Sequence, residues 1–387
     1  MEFADRVVRL KPSLTLAITA KAKAMKRQGL DVVGFGAGEP DFDTPSGIKR
    51  AGIRAIEKGF TKYTPVSGTP ELKKAIAQKL NRENGLSYTP EEIVVSCGAK
   101  HALYNIFQVL CGPGDEVIIV SPYWVSYPEM VKLSGATPRI VEAKEKNSFV
   151  PEISSIRKAI TKHVKAIIVN SPSNPTGATF GKPILEEVAK IAVLKKLIVI
   201  SDEIYEELIY DGGKHVSIGS INSGIFKQTI TVNGFSKTFS MTGWRIGYAA
   251  GPGEIMRKIA ALQSHSTSNP ASISQKAAVE ALERRGKEVG EMKKKFAERR
   301  DYMSGRINSM EKISCVKPRG AFYIFCNITE TGLDSLTFAA RLLDEAHVAC
   351  VPGIGFGSDT HVRLSFATSL KNIKKGLDRM EKWLQKL

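Results

Sequence analysis

The chain has 387 residues, enough for about two domains, and its 42% hydrophobic and 25% charged residues are typical of a folded globular protein. This composition excludes a disordered chain, a collagen-like fibre and a small disulfide scaffold. The apolar runs are far too short to cross a bilayer, and the first residues lack the apolar core of a signal peptide. We therefore expect a cytoplasmic protein with no membrane partner.

The chain is strongly basic, with 56 Lys and Arg against 39 Asp and Glu, a net charge of +17. Such an excess is compatible with nucleic acid, anionic membranes or anionic small substrates as partners. Much of it lies in residues 283–300 and 371–387, and within and just beyond the first stretch apolar residues recur at helical spacing. Basic, solvated faces of amphipathic helices explain this pattern, so we expect no nucleic-acid partner.

Cysteine and histidine usage argues against disulfides and metal sites. The five cysteines are scattered without a CxxC pair, which predicts reduced thiols, mostly buried. The six histidines are well separated and form no HxxxH or HExxH pair, so we expect no metal site.

From about residue 93, short β-branched runs alternate with helical patterns. These runs span residues 92–98, 115–123, 164–172, 196–205, 229–237 and 243–251. Strands that alternate with helices predict an α/β domain with a mainly parallel sheet. Ligands of such sheets bind beyond the carboxyl ends of the strands.

The last hundred residues change character. A long helical pattern over about 284–311 precedes several short strand-like runs and another helix, which predicts a second, smaller α/β domain. The helical pattern near residues 15–29 is suited to pack against it. We expect a large domain over 46–284 and a small domain built from 1–45 and 285–387.

Polar and charged residues follow several predicted strands or lie in the turn after them. They are Asn174, Asp202, Tyr205, Lys237 and Arg245. Burying the charge of a lysine at the end of a core strand is costly, so packing alone explains Lys237 poorly. A desolvated lysine with a lowered pKa instead forms a Schiff base with a carbonyl compound. Together these residues predict a catalytic site at one sheet edge.

Several motifs resemble those of the fold-type I pyridoxal-phosphate (PLP) aminotransferases of class I, over almost the whole chain. They are "KYTPVSG", "NSPSNPTG", "SDEIYEELIY", "NGFSKTFSMTGWRIGY" and "HVRLSFA". "GEPDFDTP" and "SPYWVSYPEM" are similar in particular to the bacterial-type aspartate aminotransferases. The resemblance implies a PLP enzyme with a mainly parallel, seven-stranded-type sheet flanked by helices, a smaller α/β domain, and a homodimer with shared active sites.

The resemblance also assigns roles around the cofactor ring. Lys237 is the Schiff-base lysine and, once freed, the base that moves a proton between the substrate and the cofactor. Asp202 pairs with the pyridine nitrogen, and Tyr205 and Asn174 hydrogen-bond the phenolic oxygen. Trp124 stacks on the ring.

The cofactor phosphate is matched by free backbone N–H groups at a helix start and by side-chain donors. These residues are Gly98, Ala99, Lys100, Ser236 and Arg245. Tyr63 resembles the tyrosine that reaches the phosphate from the neighbouring subunit. Gly234 stands where many relatives carry a phosphate-binding serine, which is a departure from the family pattern.

Substrate binding is likewise implied by the resemblance. Arg363 suits the α-carboxylate, which Asn174 also contacts, and Gly38 lets the backbone approach the substrate. Trp124 also lies against the substrate. Lys100 and Thr15 match positions that serve a distal carboxylate.

These residues favour an aminotransferase that acts by a ping-pong mechanism on aspartate or glutamate with 2-oxoglutarate or oxaloacetate. A prephenate or aromatic aminotransferase, and a PLP-dependent C–S β-lyase on the same fold, are the alternatives. The pairing of Lys100 with Thr15 argues against the lyase. A DNA-binding regulator would need a recognition module, for which the sequence before residue 11 leaves no room.

Overall fold

The computed structural model describes residues 3–8, 10, 14–284 and 286–387, without the side chains of residues 5, 14–16 and 19. Its α-helices, in chain order, are α1 Asp5–Val8, α2 Leu14–Arg27, α3 Ser46–Glu57, α4 Pro70–Lys79, α5 Ala99–Leu110, α6 Ser126–Leu133, α7 Ile153–Ala159, α8 Lys182–Lys195, α9 Ser223–Phe226, α10 Gly253–Ser264, α11 Ser272–Glu283, α12 Glu288–Ile307, α13 Ser335–Ala346 and α14 Leu370–Leu384.

The strands alternate with these helices through most of the chain. They are β1 Val33–Gly34, β2 Ile93–Ser96, β3 Glu116–Ser121, β4 Thr137–Glu142, β5 Val164–Asn170, β6 Ile198–Asp202, β7 Thr229–Gly234, β8 Gly247–Ala250, β9 Ser314–Cys315, β10 Tyr323–Asn327, β11 Val348–Ala349, β12 Val351–Pro352 and β13 His361–Ser365.

Seven strands form one large sheet in the order β2-β8-β7-β6-β5-β3-β4. Strand β8 is antiparallel to both of its neighbours, and all other pairs are parallel. The α/β class and the mainly parallel sheet predicted from the sequence are therefore confirmed. The edge strand β4 was not predicted.

Helices cover both faces of this sheet because successive side chains of a strand point to opposite faces. On β3, Val117 and Ile119 join the core formed with α5, α6 and α10, whereas Ile118 joins the core formed with α7 and α8. Apart from the edge strand β4, the strands of this sheet are largely buried on both sides, which explains their continuous β-branched runs.

A second sheet, in the order β12-β13-β10-β9, is antiparallel throughout. Helix α12 packs against it and buries Met292, Phe296, Met303 and other apolar residues of the pattern predicted near 284–311, whereas Val289 joins a core on the large sheet. Its lysines lie on the opposite, more exposed side. The basic amphipathic helix is therefore confirmed, although it is shorter than predicted.

The segment near the start of the chain lies against the C-terminal part. Strand β1 pairs in parallel with β11, and Ala22 and Val32 share a small core with Leu343 and Ala349. These contacts are those expected of a unit built from both ends of the chain. The limits at residues 45/46 and 284/285 stay a prediction.

Among the described residues, none of the helices combines the length and the apolar character needed to span a membrane.

Candidate active site

A cavity of about 1020 Å³ opens between the large sheet and the second sheet. Most of the predicted site residues line it: Gly38, Ala99, Lys100, Trp124, Asn174, Asp202, Tyr205, Ser236, Lys237, Arg245 and Arg363. The sequence places these residues far apart, and the fold brings them together.

The strand order explains this convergence. Strands β5, β6 and β7 are adjacent and parallel, so their carboxyl ends meet at one edge of the sheet. Asp202 is the last residue of β6, and Asn174 and Lys237 follow β5 and β7 closely. Because β8 is antiparallel, its amino end lies at the same edge, and Arg245 precedes it directly.

Asp202 is a buried carboxylate with two protein donors. The Tyr127 hydroxyl donates to Oδ2 over 2.6 Å, and the backbone N–H of Ile204 donates to Oδ1 over 3.3 Å. Burial raises the pKa of Asp202 to about 6, and these hydrogen bonds oppose that rise. A cationic or N–H group of a ligand would complete the site and favour the ionised carboxylate.

Lys237 has an amine suited to chemistry near neutral pH. Its Nζ donates a 2.5 Å hydrogen bond to the carbonyl of Gly38. Burial lowers the pKa of Lys237 to about 8, with the cations Arg363 and Arg245 acting in the same direction and Glu39 against it. A substantial neutral fraction makes this amine a nucleophile and a base.

Arg363 is a buried cation, and the partners that the structure describes for it are all neutral. Nη1 donates to Asn174 Oδ1 over 3.0 Å, and Nη2 donates to the carbonyl of Gly36 over 2.9 Å. Within the described ranges Nε has no partner and no carboxylate lies within ion-pair distance of the guanidinium. The rings of Tyr323 and Phe356 flank it. A buried charge without a partner is costly, so this arginine suits an anionic ligand.

An anion cradle is formed where α5 begins. Gly98 precedes the helix with φ +92°, and a Cβ built there would lie 2.6 Å from Nη2 of Arg245. The glycine therefore allows the guanidinium to lie against the free N–H groups of the first helical turn. Nη1 of Arg245 is held by the carbonyl of Thr242 at 2.9 Å. Helix start and guanidinium together suit a phosphate.

The departure at Gly234 has a steric reason. A Cβ at this position would lie 3.0 Å from the Cα of Gly247 on the paired strand and 3.2 Å from the carbonyl of Ile246. Gly234 does not line the cavity, whereas Ser236 does. Among residues 234–237, the hydroxyl that faces the cavity is therefore that of Ser236.

Lys100 and Trp124 form one wall of the cavity. The Lys100 amine lies 4.9 Å above the indole ring, which meets the Tyr127 ring edge-on at 5.3 Å. Burial, with help from Arg245, lowers the pKa of Lys100. This wall therefore offers a cation beside an aromatic face.

One predicted residue lies away from the cavity, and the side chain of another is not described. Tyr63 precedes α4, is 91% exposed and does not line the cavity of its own chain. The side chain of Thr15 lies outside the part of the chain that the structure describes.

Three residues of the site were not predicted. Tyr127 binds Asp202, and Tyr323 places its hydroxyl 2.9 Å from that of Tyr205. Asn170 donates to the carbonyl of Asp202 and accepts from the backbone N–H of Asn174. The second tyrosine of "SPYWVSYP" and the first asparagine of "VNSPSNPTG" were the available signals.

A buried ion-pair network supports the turn that carries Asp202 and Tyr205. Glu203 accepts from Ser217 over 2.6 Å and pairs with His215 over 2.8 Å. Glu206 pairs with Lys79. The remaining members are Asn84, which donates to both carboxylates, and Ser201.

This network is satisfied without a ligand. Glu203, Glu206 and His215 have ligand atoms within 4.8 Å of one another, as a metal site would require. Lys79 and Asn84, however, already provide the positive charge and the donors that a cation would replace. The cluster is best described as structural.

The fold and the site together define an aminotransferase. The family model of aminotransferase class I and II matches residues 30–380. The chain therefore belongs to this family, and the resemblance seen in the sequence is confirmed.

The relatives include aspartate aminotransferases of nearly the same length. That of Bacillus sp. (strain YM-2) is 49% identical over 387 residues, with 99% of each chain covered. The aspartate/prephenate aminotransferase of Thermus thermophilus is 47% identical, with 98% of each covered. The solved structure of the Thermus thermophilus aspartate aminotransferase with maleate matches with a TM-score of 0.96 at 46% identity, over 99% of both chains.

Proposed function

We propose that this aminotransferase depends on PLP and transfers the amino group between aspartate or glutamate and 2-oxoglutarate or oxaloacetate by a ping-pong mechanism. The proposal rests mainly on one cavity that brings together three chemically suited groups. It contains a lysine whose pKa is lowered to about 8, a buried carboxylate and a buried guanidinium that has no anionic partner among the described residues. These are Lys237, Asp202 and Arg363.

The donor set fits PLP. Asp202 would hold the pyridine nitrogen, because its buried carboxylate has room for a charged N–H partner. Tyr205 and Asn174 would donate to the phenolic oxygen, and Trp124 would lie on the ring face. The phosphate would lie in the anion cradle of Gly98, Ala99, Lys100, Ser236 and Arg245. When bound, PLP supplies an electron sink for the carbanion that forms at the substrate Cα.

Lys237 is the residue proposed to move the proton of the substrate Cα. Near pH 7 a share of Lys237 is neutral, so its amine takes a proton from the substrate Cα. The lysine would then pass this proton to the cofactor. The carbonyl of Gly38 holds the ammonium between the two proton transfers.

The substrate preference follows from two cations. Arg363 binds the α-carboxylate with its planar fork, and Asn174, already bonded to Arg363, lies beside the same group. Lys100 lines the same cavity beside Trp124 and is proposed to bind the distal carboxylate. Thr15 is proposed to assist Lys100. The named activities of the relatives support aspartate as a substrate.

A second candidate substrate is prephenate, which also carries two carboxylates. The relative named aspartate/prephenate aminotransferase supports it. The β-lyase activity would use the same Lys237, Asp202 and Arg363, but it needs no cation for a distal carboxylate. Lys100 therefore favours amino-group transfer.

We further propose a homodimer in which Tyr63 reaches the phosphate of the partner subunit. Its 91% exposure, away from its own cavity, supports such a role. A twofold interface lets each subunit give and receive the same residue.

The test is a transaminase panel with the PLP-loaded protein. Aspartate, glutamate, phenylalanine and alanine are offered with 2-oxoglutarate, oxaloacetate or prephenate, and the new amino acid is measured. Cystathionine serves as the lyase substrate, with ammonia and pyruvate as the readout. We expect aspartate with 2-oxoglutarate to be among the fastest pairs. Ammonia release without amino-group transfer would contradict the proposal.

A further inference from the structure

Tyr323 contacts two groups of the proposed site, the guanidinium of Arg363 and the hydroxyl of Tyr205. We propose that Tyr323 is a positioning residue that couples the carboxylate-binding guanidinium of Arg363 to the hydroxyl of Tyr205, and through it to the cofactor. This inference rests on the proposed function. It assigns a role to a residue that the sequence motifs did not indicate.

The antiparallel pair β10–β13 places the ring of Tyr323 on Arg363. Tyr323 pairs with Ser365, so Arg363 is its diagonal neighbour on the same face of the sheet. The guanidinium carbon lies 4.3 Å from the centre of the Tyr323 ring. Both side chains are buried, so water does not screen this contact.

The hydroxyl of Tyr323 has its partner on the large sheet. It lies 2.9 Å from the hydroxyl of Tyr205, and either oxygen can donate. When Tyr205 donates its single proton to a ligand, its oxygen is free to accept the proton of Tyr323. The two phenols then form a chain of donors that points from Arg363 to the ligand. Hydrogen bonds in such a chain strengthen one another.

Glycine at position 38 leaves room for this arrangement. A Cβ built on Gly38 would lie 3.6 Å from the hydroxyl of Tyr323, which is ordinary contact. A longer side chain there would reach the two phenols. The backbone of Gly38 also holds Lys237, so the hydroxyl pair, the lysine and the arginine meet within one small volume.

The charged groups that face the two phenols set the direction of the coupling. Burial raises the pKa of Tyr323, and Arg363 opposes that rise, which makes its hydroxyl a better donor; Glu39 acts the other way. Burial and Tyr323 raise the pKa of Tyr205, Arg363 opposes that rise and Asp202 adds to it. The Lys237 amine lies 6.0 Å from the centre of the Tyr205 ring. A carboxylate bound to Arg363 would neutralise the guanidinium and weaken the support that Tyr323 gives Tyr205.

The test compares wild type with Tyr323→Phe by spectrophotometric pH titration of the PLP-loaded proteins, with and without succinate. Succinate is a dicarboxylate that carries no amino group to transfer. Tyr205 donates to the phenolic oxygen of PLP and so stabilises its ionised form, and Tyr323 supports Tyr205. Losing the Tyr323 hydroxyl should therefore raise the pKa that the absorbance titration reports by about half a unit or more. Succinate bound to Arg363 should raise this pKa in the wild-type protein. The rise caused by succinate should be smaller in Tyr323→Phe.

Tyr210→Phe is the matched control. Tyr210 is also buried, its hydroxyl donates to the carbonyl of Ala321, and Arg300 lies 4.6 Å from its ring centre, but it does not line the cavity. We expect it to titrate like wild type. If Tyr323→Phe keeps both the wild-type pKa and the full succinate response, or if Tyr210→Phe shifts equally, the coupling is refuted. If wild type itself forms no visible PLP adduct at Lys237, the proposed function fails instead.

Discussion

The amine of Lys237 is hydrogen-bonded to the carbonyl of Gly38, although 199 positions separate the two residues. Lys237 follows β7 of the large sheet, whereas Gly38 follows β1, which pairs with a strand near the C-terminus. The Lys237 amine therefore lies between two parts of the site. One is the edge of the large sheet, which is proposed to hold the cofactor, and the other is the segment of Gly38, which is proposed to lie against the substrate. A proton carrier between the two has to occupy this position.

The lysine assignment can be tested chemically. Borohydride reduction of the PLP-loaded protein, followed by peptide mapping, should find the pyridoxyl group on Lys237. Lys237→Ala should retain no multiple turnover, because the amine is both nucleophile and base. Lys227→Ala, at an exposed lysine, is the control and should behave as wild type. A pyridoxyl group on any other lysine would contradict the assignment.

The two substrate cations should have separable effects. Arg363→Ala is expected to lower kcat/KM for every amino acid, whereas Lys100→Ala should lower it mainly for dicarboxylic ones. Hydrogen bonds to charged groups contribute about 1.5–3 kcal/mol, so each loss should be about tenfold or more. Steady-state kinetics with aspartate and phenylalanine give the comparison. Equal losses for both substrates in the Lys100 variant would argue against a distal-carboxylate role.

Cofactor affinity should depend on the hydrogen bond between Tyr127 and Asp202. This bond opposes the effect of burial, so Tyr127→Phe should raise the pKa of Asp202 above its value of about 6. Affinity for PLP should then fall as the pH drops through 6, and the fall should begin at higher pH in the variant. Equilibrium binding of PLP from pH 5 to 8 measures this. Tyr104→Phe, on the outer side of α5, is the control, and identical profiles for all three proteins would exclude the effect.

The buried pair of Glu203 and His215 predicts a pH-dependent stability. Burial opposes protonation of His215, but the charge and hydrogen bond of Glu203 outweigh it and raise its pKa above the ordinary 6.5. Burial alone would raise the pKa of Glu203, but the charge and hydrogen bond of His215 outweigh this effect. The pKa of Glu203 is therefore lowered from the ordinary 4.5. The pair therefore stabilises the fold most between about pH 4.5 and 6.5, and the histidine contribution disappears as the pH rises through its raised pKa.

His215→Gln should accordingly destabilise the protein by about 3 kcal/mol at pH 6, because it leaves a buried carboxylate unpaired, and by clearly less at pH 9. Thermal unfolding at the two pH values provides the measurement. His163→Gln, at an exposed histidine, should show no such difference. A loss for His215→Gln that is independent of pH would show that the imidazole is neutral in the folded chain.

Shared active sites can be detected by mixing two impaired chains. In a mixed dimer of Lys237→Ala and Tyr63→Phe, one site carries both substitutions and the other carries neither. Activity should then exceed that of either parent after subunit exchange. If confirmed mixed dimers never exceed the Tyr63→Phe parent, Tyr63 does not act across the interface.

Much of the large sheet could be predicted because buried parallel strands read as continuous apolar runs. Strand β4 could not, because its residues "TPRIVE" are mostly exposed at the sheet edge and carry no such run. The reversed direction of β8 was also invisible, since periodicity does not reveal whether neighbours are parallel. That reversal is what brings Arg245 to the same edge as Lys237.

The site residues with charged or unusual chemistry could be predicted, whereas those that support them could not. Lys237 and Asp202 are costly to bury and so attract attention, and the family motifs include them. Tyr127 and Tyr323 are aromatic residues in apolar surroundings, and such residues pack in the core far more often than they serve a site. Only their hydroxyl contacts, which are long-range in sequence, reveal their roles.

The proposed site is built from two sheets, and its parts are therefore synthesised at different times. The groups of one subunit proposed to hold the cofactor all lie between residues 98 and 245, whereas Arg363 lies on β13 near the end of the chain. Domains form as units during synthesis, beginning with the part that leaves the ribosome first. The chain therefore completes the groups that one subunit is proposed to offer the cofactor before it makes Arg363, so an unfinished chain would carry most of the proposed cofactor site without the arginine proposed to bind the substrate.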